Sequence, residues 1–314
     1  MKRSLTVAGL LLAPLLLFAC GDDDANSSTA AADPPSDSAS YPVTVGTGKN
    51  AVEIESQPEK IVSLSPTATE MLFAIGAGNQ VTAADQYSNY PADAPTTDLD
   101  AYQPNVEAII KYEPDLVITS YDPSDLVASL DKVGVPTMML PAAVKLNDTY
   151  DQIEQLGAAT GHVGEAAEVV GQMKSDIDSI VADVPDGPPV TYYHELDANL
   201  YTVTSSTFIG QLYEVAGMKS IADNAPDAAG DYPQLSPEYV VSSDPDLIFL
   251  ADGGSNGGVT VDDVANRPGW DELSAVQNDR VIEVDPDISS RWGPRVVDYL
   301  KTLVDARAQL QPVG

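Results

Sequence analysis

Residues 164–183 read GEAAEVVGQMKSDIDSIVAD. Ala166, Val169, Val170, Met173, Ile177, Ile180 and Val181 recur at three- and four-residue spacing, which predicts one apolar stripe along an α-helix. Glu165, Glu168, Gln172, Lys174, Asp176 and Asp178 fall between them and form a solvated face. About twenty residues at 1.5 Å each give a rod of roughly 30 Å, the width of a small domain. Val184-Pro185-Asp186-Gly187-Pro188-Pro189 stops it, because proline has no N–H and disfavours helix in the residue before it.

The sequence repeats itself on either side of this helix. NVEAIIKYEPDLVIT runs from Asn105 to Thr119, and SPEYVVSSDPDLIFL from Ser236 to Leu250. Glu107 matches Glu238, Pro114 matches Pro245, and Asp115-Leu116 matches Asp246-Leu247 at one offset. LFAIGAG, from Leu72 to Gly78, echoes LYEVAGM, from Leu212 to Met218. Short helix, Pro-Asp turn and buried strand is a common αβ order, but several echoes in the same sequence point to two related lobes. One rigid helix joins them in this reading.

A chain of 314 residues has room for two such lobes, each with its own core. Forty-eight acidic against fifteen basic residues give a formal charge of −33. That balance disfavours nucleic acid, whose phosphates need basic partners, and it is a statement about solubility rather than fold. Met1-Lys2-Arg3 followed by the apolar Leu10–Phe18 reads as a signal peptide, too short and too close to Cys20 for a spanning helix. Leu17-Phe18-Ala19-Cys20-Gly21 resembles a bacterial lipobox, in which the cysteine is lipidated and the chain is cut before it. Cys20 is the only cysteine, so neither an internal disulfide nor a cysteine metal cluster is available. Gly21 to Ser40 is small, acidic and Pro/Ser-containing, and reads as a disordered tether. The expected organisation is a signal peptide at 1–19, lipidated Cys20 and tether at 20–40, an N-terminal αβ lobe at 41–160, the connector at 161–184 and a C-terminal αβ lobe at 185–314.

Within the first lobe the pattern predicts a hairpin of Val43–Val45 with 51–54, then strands at 60–65, 81–84, 116–119 and 135–140. Helices are expected at 70–75, capped by Thr67 or Thr69, and at 105–112, 124–133 and 147–159. The second lobe repeats the plan with strands at 190–195, 201–203, 247–250 and 281–284. Its helices are expected at 207–216, 237–242 and 294–310, with a flexible glycine-rich loop at 253–258. Strands alternating with helices predict an α/β protein of two αβα lobes with mainly parallel sheets and a ligand cleft between them.

Catalytic signatures are absent: there is no phosphate loop, no dinucleotide glycine fingerprint and no nucleophile elbow. His162 and His194 are the only histidines, too few for a bare transition-metal site. The positive signal is aromatic. Fourteen tyrosines stand against four phenylalanines, and Tyr87, Tyr90, Tyr102, Tyr121, Tyr201 and Tyr232 fall in loops that follow strands. Open parallel sheets bind ligands at strand carboxyl ends, and a flat ring with a polar tip suits a large, partly polar ligand. Ser290-Arg291-Trp292-Gly293-Pro294-Arg295 places two of five mature-chain arginines beside a tryptophan at a helix start. Such planar cations recognise anions, stack on conjugated ligands or form structural salt bridges.

These stretches resemble the solute-binding lipoproteins of ABC importers that take up cobalamin, ferric siderophores and haem. EKIVSLSPTATEMLFAIGAG, YSNYP, NVEAIIKYEPDLVI and SPEYVVSSDPDLIFL carry the resemblance, which runs from Glu59 to Leu310. It implies two αβ lobes bridged by one long helix, and a monomer that works with a permease and its ATPase. It implies no enzymatic activity, catalytic residue, resident cofactor or metal. The cobalamin-binding members share the pattern most fully: Tyr87 or Tyr90 matches their tyrosine loop, Tyr102 the next aromatic, and Ser120 or Tyr121 the one after the PDLVI strand. Tyr201 and Tyr232 fall where aromatics face the ligand, Asp287 and Arg291 at polar contacts, with Trp292 and Arg295 beside them. The resemblance further implies that Glu70 and Glu238, one on each lobe, meet arginines of the permease. A ferric-siderophore or haem ligand, an enzyme on the same scaffold and a purely structural lipoprotein are the competing readings. The enzyme would need clustered cysteines or histidines, and the structural lipoprotein leaves the loop aromatics without a purpose.

Overall fold

The computed structural model describes residues 40–226, 230–253 and 257–310. The signal peptide, Cys20 and nearly all of the tether lie outside the described residues, as does the middle of the glycine-rich loop. Strands β1 (Val43–Val45) and β2 (Val52–Ile54) form an antiparallel hairpin. β3 (Ile61–Leu64), β4 (Val81–Ala84), β5 (Leu116–Thr119) and β6 (Thr137–Met139) make one parallel sheet, in the order β4-β3-β5-β6. β7 (Val190–Glu195), β8 (Met218–Ser220), β9 (Leu247–Leu250) and β10 (Val281–Glu283) make a second, in the order β8-β7-β9-β10. The two sheets share one strand order and one direction, as the internal repeat predicts.

The helices are α1 (Pro66–Ala74), α2 (Val106–Ile110), α3 (Leu126–Asp131), α4 (Leu146–Thr160), α5 (Val163–Ala182), α6 (Phe208–Val215), α7 (Pro237–Ser243), α8 (Val261–Ala265), α9 (Ser274–Gln277), α10 (Pro286–Ser290) and α11 (Val296–Ala308). Helix α5 packs against α4 and α11, burying Ala166, Val170, Met173 and Ile177. Val181, read as part of the stripe, is 38% exposed, while Ile180 in the same turn packs against the central core. Cores on the outer faces of the sheets are separate. A third, continuous core runs from Ile61 and Met71 through Ile153, Ala166 and Ile177 to Tyr213 and Leu300, so α4, α5 and α11 are shared packing.

The repeat has a local mechanism. Asp115 Oδ2 accepts from the backbone N–H groups of Glu59 at 2.9 Å and Lys60 at 3.0 Å, clamping the chain that enters β3. Asp246 Oδ2 does the same for β7, accepting from Thr191 N–H and Thr191 Oγ1, both at 2.8 Å. Just before each Pro-Asp pair, Glu113 (φ 49°) and Asp244 (φ 40°) turn the chain through the left-handed region, a strain tolerated because the next proline cannot continue the helix.

Three local expectations change. Ser65, rather than Thr67 or Thr69, caps α1: its side chain accepts from Ala68 N–H at 3.2 Å, because Pro66 is pre-set for the first helical position. The stretch from Tyr201 is not a sheet strand. It forms an isolated bridge to Gln234, with Thr202 N–H donating to Pro233 O at 3.0 Å, and the short β8 takes the edge of the sheet. Residues 286–290 form α10, capped by Asp285, a helix the sequence pattern did not predict.

The α4–α5 corner admits no side chain at Gly157, where a Cβ would lie 2.4 Å from Ala166 Cβ and 2.9 Å from His162 O. Gly157→Val should therefore cost about 1–3 kcal/mol of overpacking, read as a lower urea midpoint. His194 is fully buried on β7, with Nδ1 2.8 Å from the Tyr213 hydroxyl, and desolvation lowers its pKa from 6.5 to about 3. As pH falls below 6.5 the unfolded chain gains a proton that the native protein refuses until about 3, so stability declines through that window. In His194→Gln, urea titrations from neutral to acid pH should show a shallower decline, by up to about 1.4 kcal/mol per pH unit.

Candidate functional site

Three strands of the first sheet deliver polar residues at their carboxyl ends: Ser65 after β3, Asp85 after β4 and Ser120 after β5. They open onto a cavity of about 460 Å³ that Thr67, Tyr87, Tyr102 and Tyr121 also line. Asp287, Ser290, Arg291 and Trp292, from the α10–α11 corner, close it from the second lobe. Tyr87 and Tyr102 meet edge to face with centroids 5.2 Å apart, and Tyr102 and Tyr121 lie 5.5 Å apart, so the rings form one wall. Ser120 Oγ donates to Ser65 Oγ at 2.7 Å across the floor. On the opposite side Trp292 Nε1 donates to Gln152 Oε1 at 2.9 Å, which fixes the indole against α4.

Arg291, 9% exposed, is engaged from every side. Its Nη1 donates to Glu70 Oε1 at 2.7 Å. Its Nη2 donates to Tyr87 O at 3.1 Å, Asn89 Oδ1 at 2.9 Å and Asp287 Oδ1 at 2.7 Å. Arg295 grips the same glutamate, its Nε 2.9 Å from Glu70 Oε2, and its guanidinium lies 4.1 Å from the Tyr90 ring centroid. The hydrogen bond to Glu70 raises the pKa of Arg295 above its ordinary value. Gly293 lets the corner approach, since a Cβ there would sit 3.3 Å from Glu70 Oε2.

The structure thus brings Tyr87, Tyr102, Tyr121, Asp287, Arg291 and Trp292 to one cavity. Tyr90 and Arg295 instead line a separate depression of about 280 Å³ with Glu70, Phe73 and Pro294. Tyr201 and Tyr232, 41% and 52% exposed, do not line the cavity. Of the two glutamates expected to meet a permease, Glu238 is exposed in the first turn of α7. Glu70 is not available in the same way: it is 3% exposed in the fifth position of α1, both oxygens held by arginines of the other lobe.

Sequence reasoning missed Asp85, Asn89 and Ser65, and named Ser120 only as an alternative to Tyr121. An acidic residue directly after the apolar strand VTAA was the available signal for Asp85. A larger open groove, of about 980 Å³, runs between β2 and β6 and carries Glu53, Glu55, Asp115, Asp122 and Asp131 without any aromatic or cationic lining residue.

Two parallel-sheet lobes, one long bridging helix and an aromatic cavity between the lobes define a solute-binding protein. A family model described as periplasmic binding protein matches residues 61–288. An uncharacterised ABC transporter substrate-binding lipoprotein of Bacillus subtilis is 30% identical over 316 residues, covering 97% of this chain and 97% of its own. A cobalamin-binding protein of Halobacterium salinarum is 29% identical over 277 residues, 85% of this chain and 74% of its own. Among solved structures, the periplasmic haem-binding protein of a Roseiflexus species, in apo form, matches with a TM-score of 0.70 at 25% identity, covering 81% of this chain and 99% of that one. The chain belongs to the periplasmic binding protein family. It is a non-enzymatic substrate-binding protein of the ABC-importer type, in a family whose members include vitamin B12- and haem-binding proteins, and such proteins hand small ligands to a permease and its ATPase.

Among the described residues the Glu70 carboxylate is the only anion shared by two guanidinium groups, with side-chain exposures of 1% for Glu70, 8% for Arg291 and 16% for Arg295. Glu70→Gln should destabilise the protein by about 3 kcal/mol in urea unfolding, because Arg295 loses its carboxylate and Arg291 keeps only the partly exposed Asp287. Pairing it with Arg295→Met should return part of that loss; a single-variant cost below about 1 kcal/mol would mean water solvates the pair.

Proposed function

We propose that this protein is a lipid-anchored receptor that captures a metal chelate, a corrinoid such as cobalamin, and delivers it to an ABC importer. The observation that carries the ligand class is the polarity of the cavity. Arg291 and Arg295 are committed to Glu70, Asn89, Asp287 and the Tyr87 carbonyl, leaving carboxylate and hydroxyl oxygens as the polar lining. Of the charged residues that line the cavity, Asp85 and Asp287 against Arg291 leave one negative charge in formal count. A ligand rich in neutral amide N–H donors suits that lining, beside an aromatic wall that covers its flat face. The similarity to a cobalamin-binding protein supports the same reading.

In this reading residues 1–19 are removed, Cys20 carries the lipid, and 20–40 tether the binding lobes outside the membrane. A corrinoid is larger than the cavity, so the first lobe holds one part of it, and Tyr201 and Tyr232 of the second lobe cover another. Glu238 meets the permease directly. Glu70 does so only after its bonds to Arg291 and Arg295 open. The continuous core through α4, α5 and α11 keeps lobe closure small.

A haem or ferric-siderophore ligand is the second reading, favoured by the likeness to a haem-binding protein. Calorimetric titration of the purified full chain in detergent with cobalamin, haemin and ferric siderophores separates the two. One-to-one binding of cobalamin, tighter than about 1 μM, is the expected result, as suits an enclosed, largely preformed site. Tyr102→Ala should then weaken it by about tenfold through loss of the ring wall. Preference for haemin or a catecholate chelate would replace the corrinoid and leave the importer role standing.

A further inference from the structure

We infer that Asp85 determines ligand specificity: its free carboxylate oxygen accepts a hydrogen bond from an N–H donor of the bound chelate, and so selects against anionic chelates. This rests on the reading of the cavity as the chelate site, and it adds a residue that neither the loop aromatics nor the arginine corner suggested.

Asp85 is fully buried at the end of β4, and its backbone N–H donates to Ser63 O at 3.0 Å. Ser88 Oγ donates to its Oδ1 at 2.7 Å, and that hydroxyl lies 2.9 Å from Thr69 Oγ1, which in turn reaches Ser63 and the Ser65 carbonyl. Every member of this chain of hydroxyls is buried, so the carboxylate is locked in one orientation. Oδ2 is left with no partner, although the residue lines the cavity. The hydroxyl of Tyr121 is buried and unpartnered on the same wall. Native proteins rarely leave such atoms unpaired, and a carboxylate is the costliest to leave so.

Arg291 is the nearby cation, but both of its terminal nitrogens are committed elsewhere. Desolvation raises the pKa of Asp85, opposed by the Ser88 hydroxyl, by the backbone N–H groups of Ser88 and Tyr87 and, last, by the charge of Arg291. Primary amides, which ring a corrinoid, would supply the missing donor. Haem propionates and catecholates would bring a second negative charge against the first. Selection of this kind works by an unfavourable contact with the wrong ligand as much as by a bond to the right one.

Asp85→Asn keeps the shape and a bond to Ser88 while turning the free atom from acceptor to donor; Asp85→Ala removes both. The full chain in detergent and both variants are titrated with cobalamin, with cobalamin monocarboxylates in which one amide is hydrolysed to the acid, with haemin, and with a ferric hydroxamate bearing a free ammonium group. The native protein should bind cobalamin and reject one monocarboxylate. Asp85→Asn should lose cobalamin affinity by about 10- to 100-fold and erase that rejection, at a melting temperature no lower than that of the native protein. If the native protein binds cobalamin but both variants match it within about twofold, the role of Asp85 falls and the corrinoid reading stands. If only the ammonium-bearing hydroxamate binds and Asp85→Asn loses it, the donor-reading role stands and the corrinoid falls. Preference for haemin, or no binding across the set, overturns both. Should either variant melt lower, the native protein's discrimination among monocarboxylates decides alone, and its absence overturns the inference.

Discussion

The shared glutamate of two arginines is the interaction on which the rest of this molecule depends. Glu70 stands on α1 of the first lobe, while Arg291 and Arg295 stand at the α10–α11 corner of the second. Their contact sets the distance between the lobes beside the cavity. It also decides what the cavity is made of, because guanidinium groups held by Glu70, Asn89 and Asp287 are no longer free cations. A buried ion pair contributes little net stability when compared with a well-packed apolar pair of the same size. Its value here is geometric: three charged groups with fixed forks tolerate one arrangement, and that arrangement positions Asp287 and Trp292 over the tyrosine wall.

A second constraint works with the first. The central core is continuous through α4, α5 and α11, so the helix that bridges the lobes is packed along much of its length rather than hanging between them. Hinge motion in two-lobed proteins needs a few residues free to absorb large backbone changes. Here the junction of α4 and α5 is a glycine-dependent corner without space for a Cβ, and the exit of α5 runs into prolines.

Much of this was legible in the sequence because it rests on local periodicity and repetition. The α5 stripe, the paired Pro-Asp segments and the glycine that ends each LFAIGAG-like helix are one-dimensional signals. The structure gives them matching work, with Asp115 and Asp246 each holding the start of a neighbouring strand. The site was legible only in part. Tyr87, Tyr102 and Tyr121 converge as loop aromatics after strands should, but Tyr90, one turn away, faces Arg295 instead. Glu70 was read as an outward charge because nothing local to SPTATE reveals a pair of arginines more than two hundred residues later. Long-range ion pairing leaves no periodic trace. Asp85 was missed for a related reason: a single acid after a strand is commonplace, and only its burial with one oxygen unpartnered distinguishes it.

The same residues explain how a chain of net charge −33 can hold arginines in a binding cleft without advertising for anions. Glu70 and Asp287 satisfy these two guanidinium groups inside the fold. Charge on the surface then governs solubility, while the cleft presents oxygen acceptors beneath aromatic rings. An anionic ligand would have to take Arg291 from Glu70 and leave that carboxylate buried and unpaired, a larger loss than the new bond would return. A ligand carrying N–H donors needs no such exchange. On the proposed chelate reading, selectivity would follow from which polar groups the fold has already satisfied, rather than from which residue types the cleft contains.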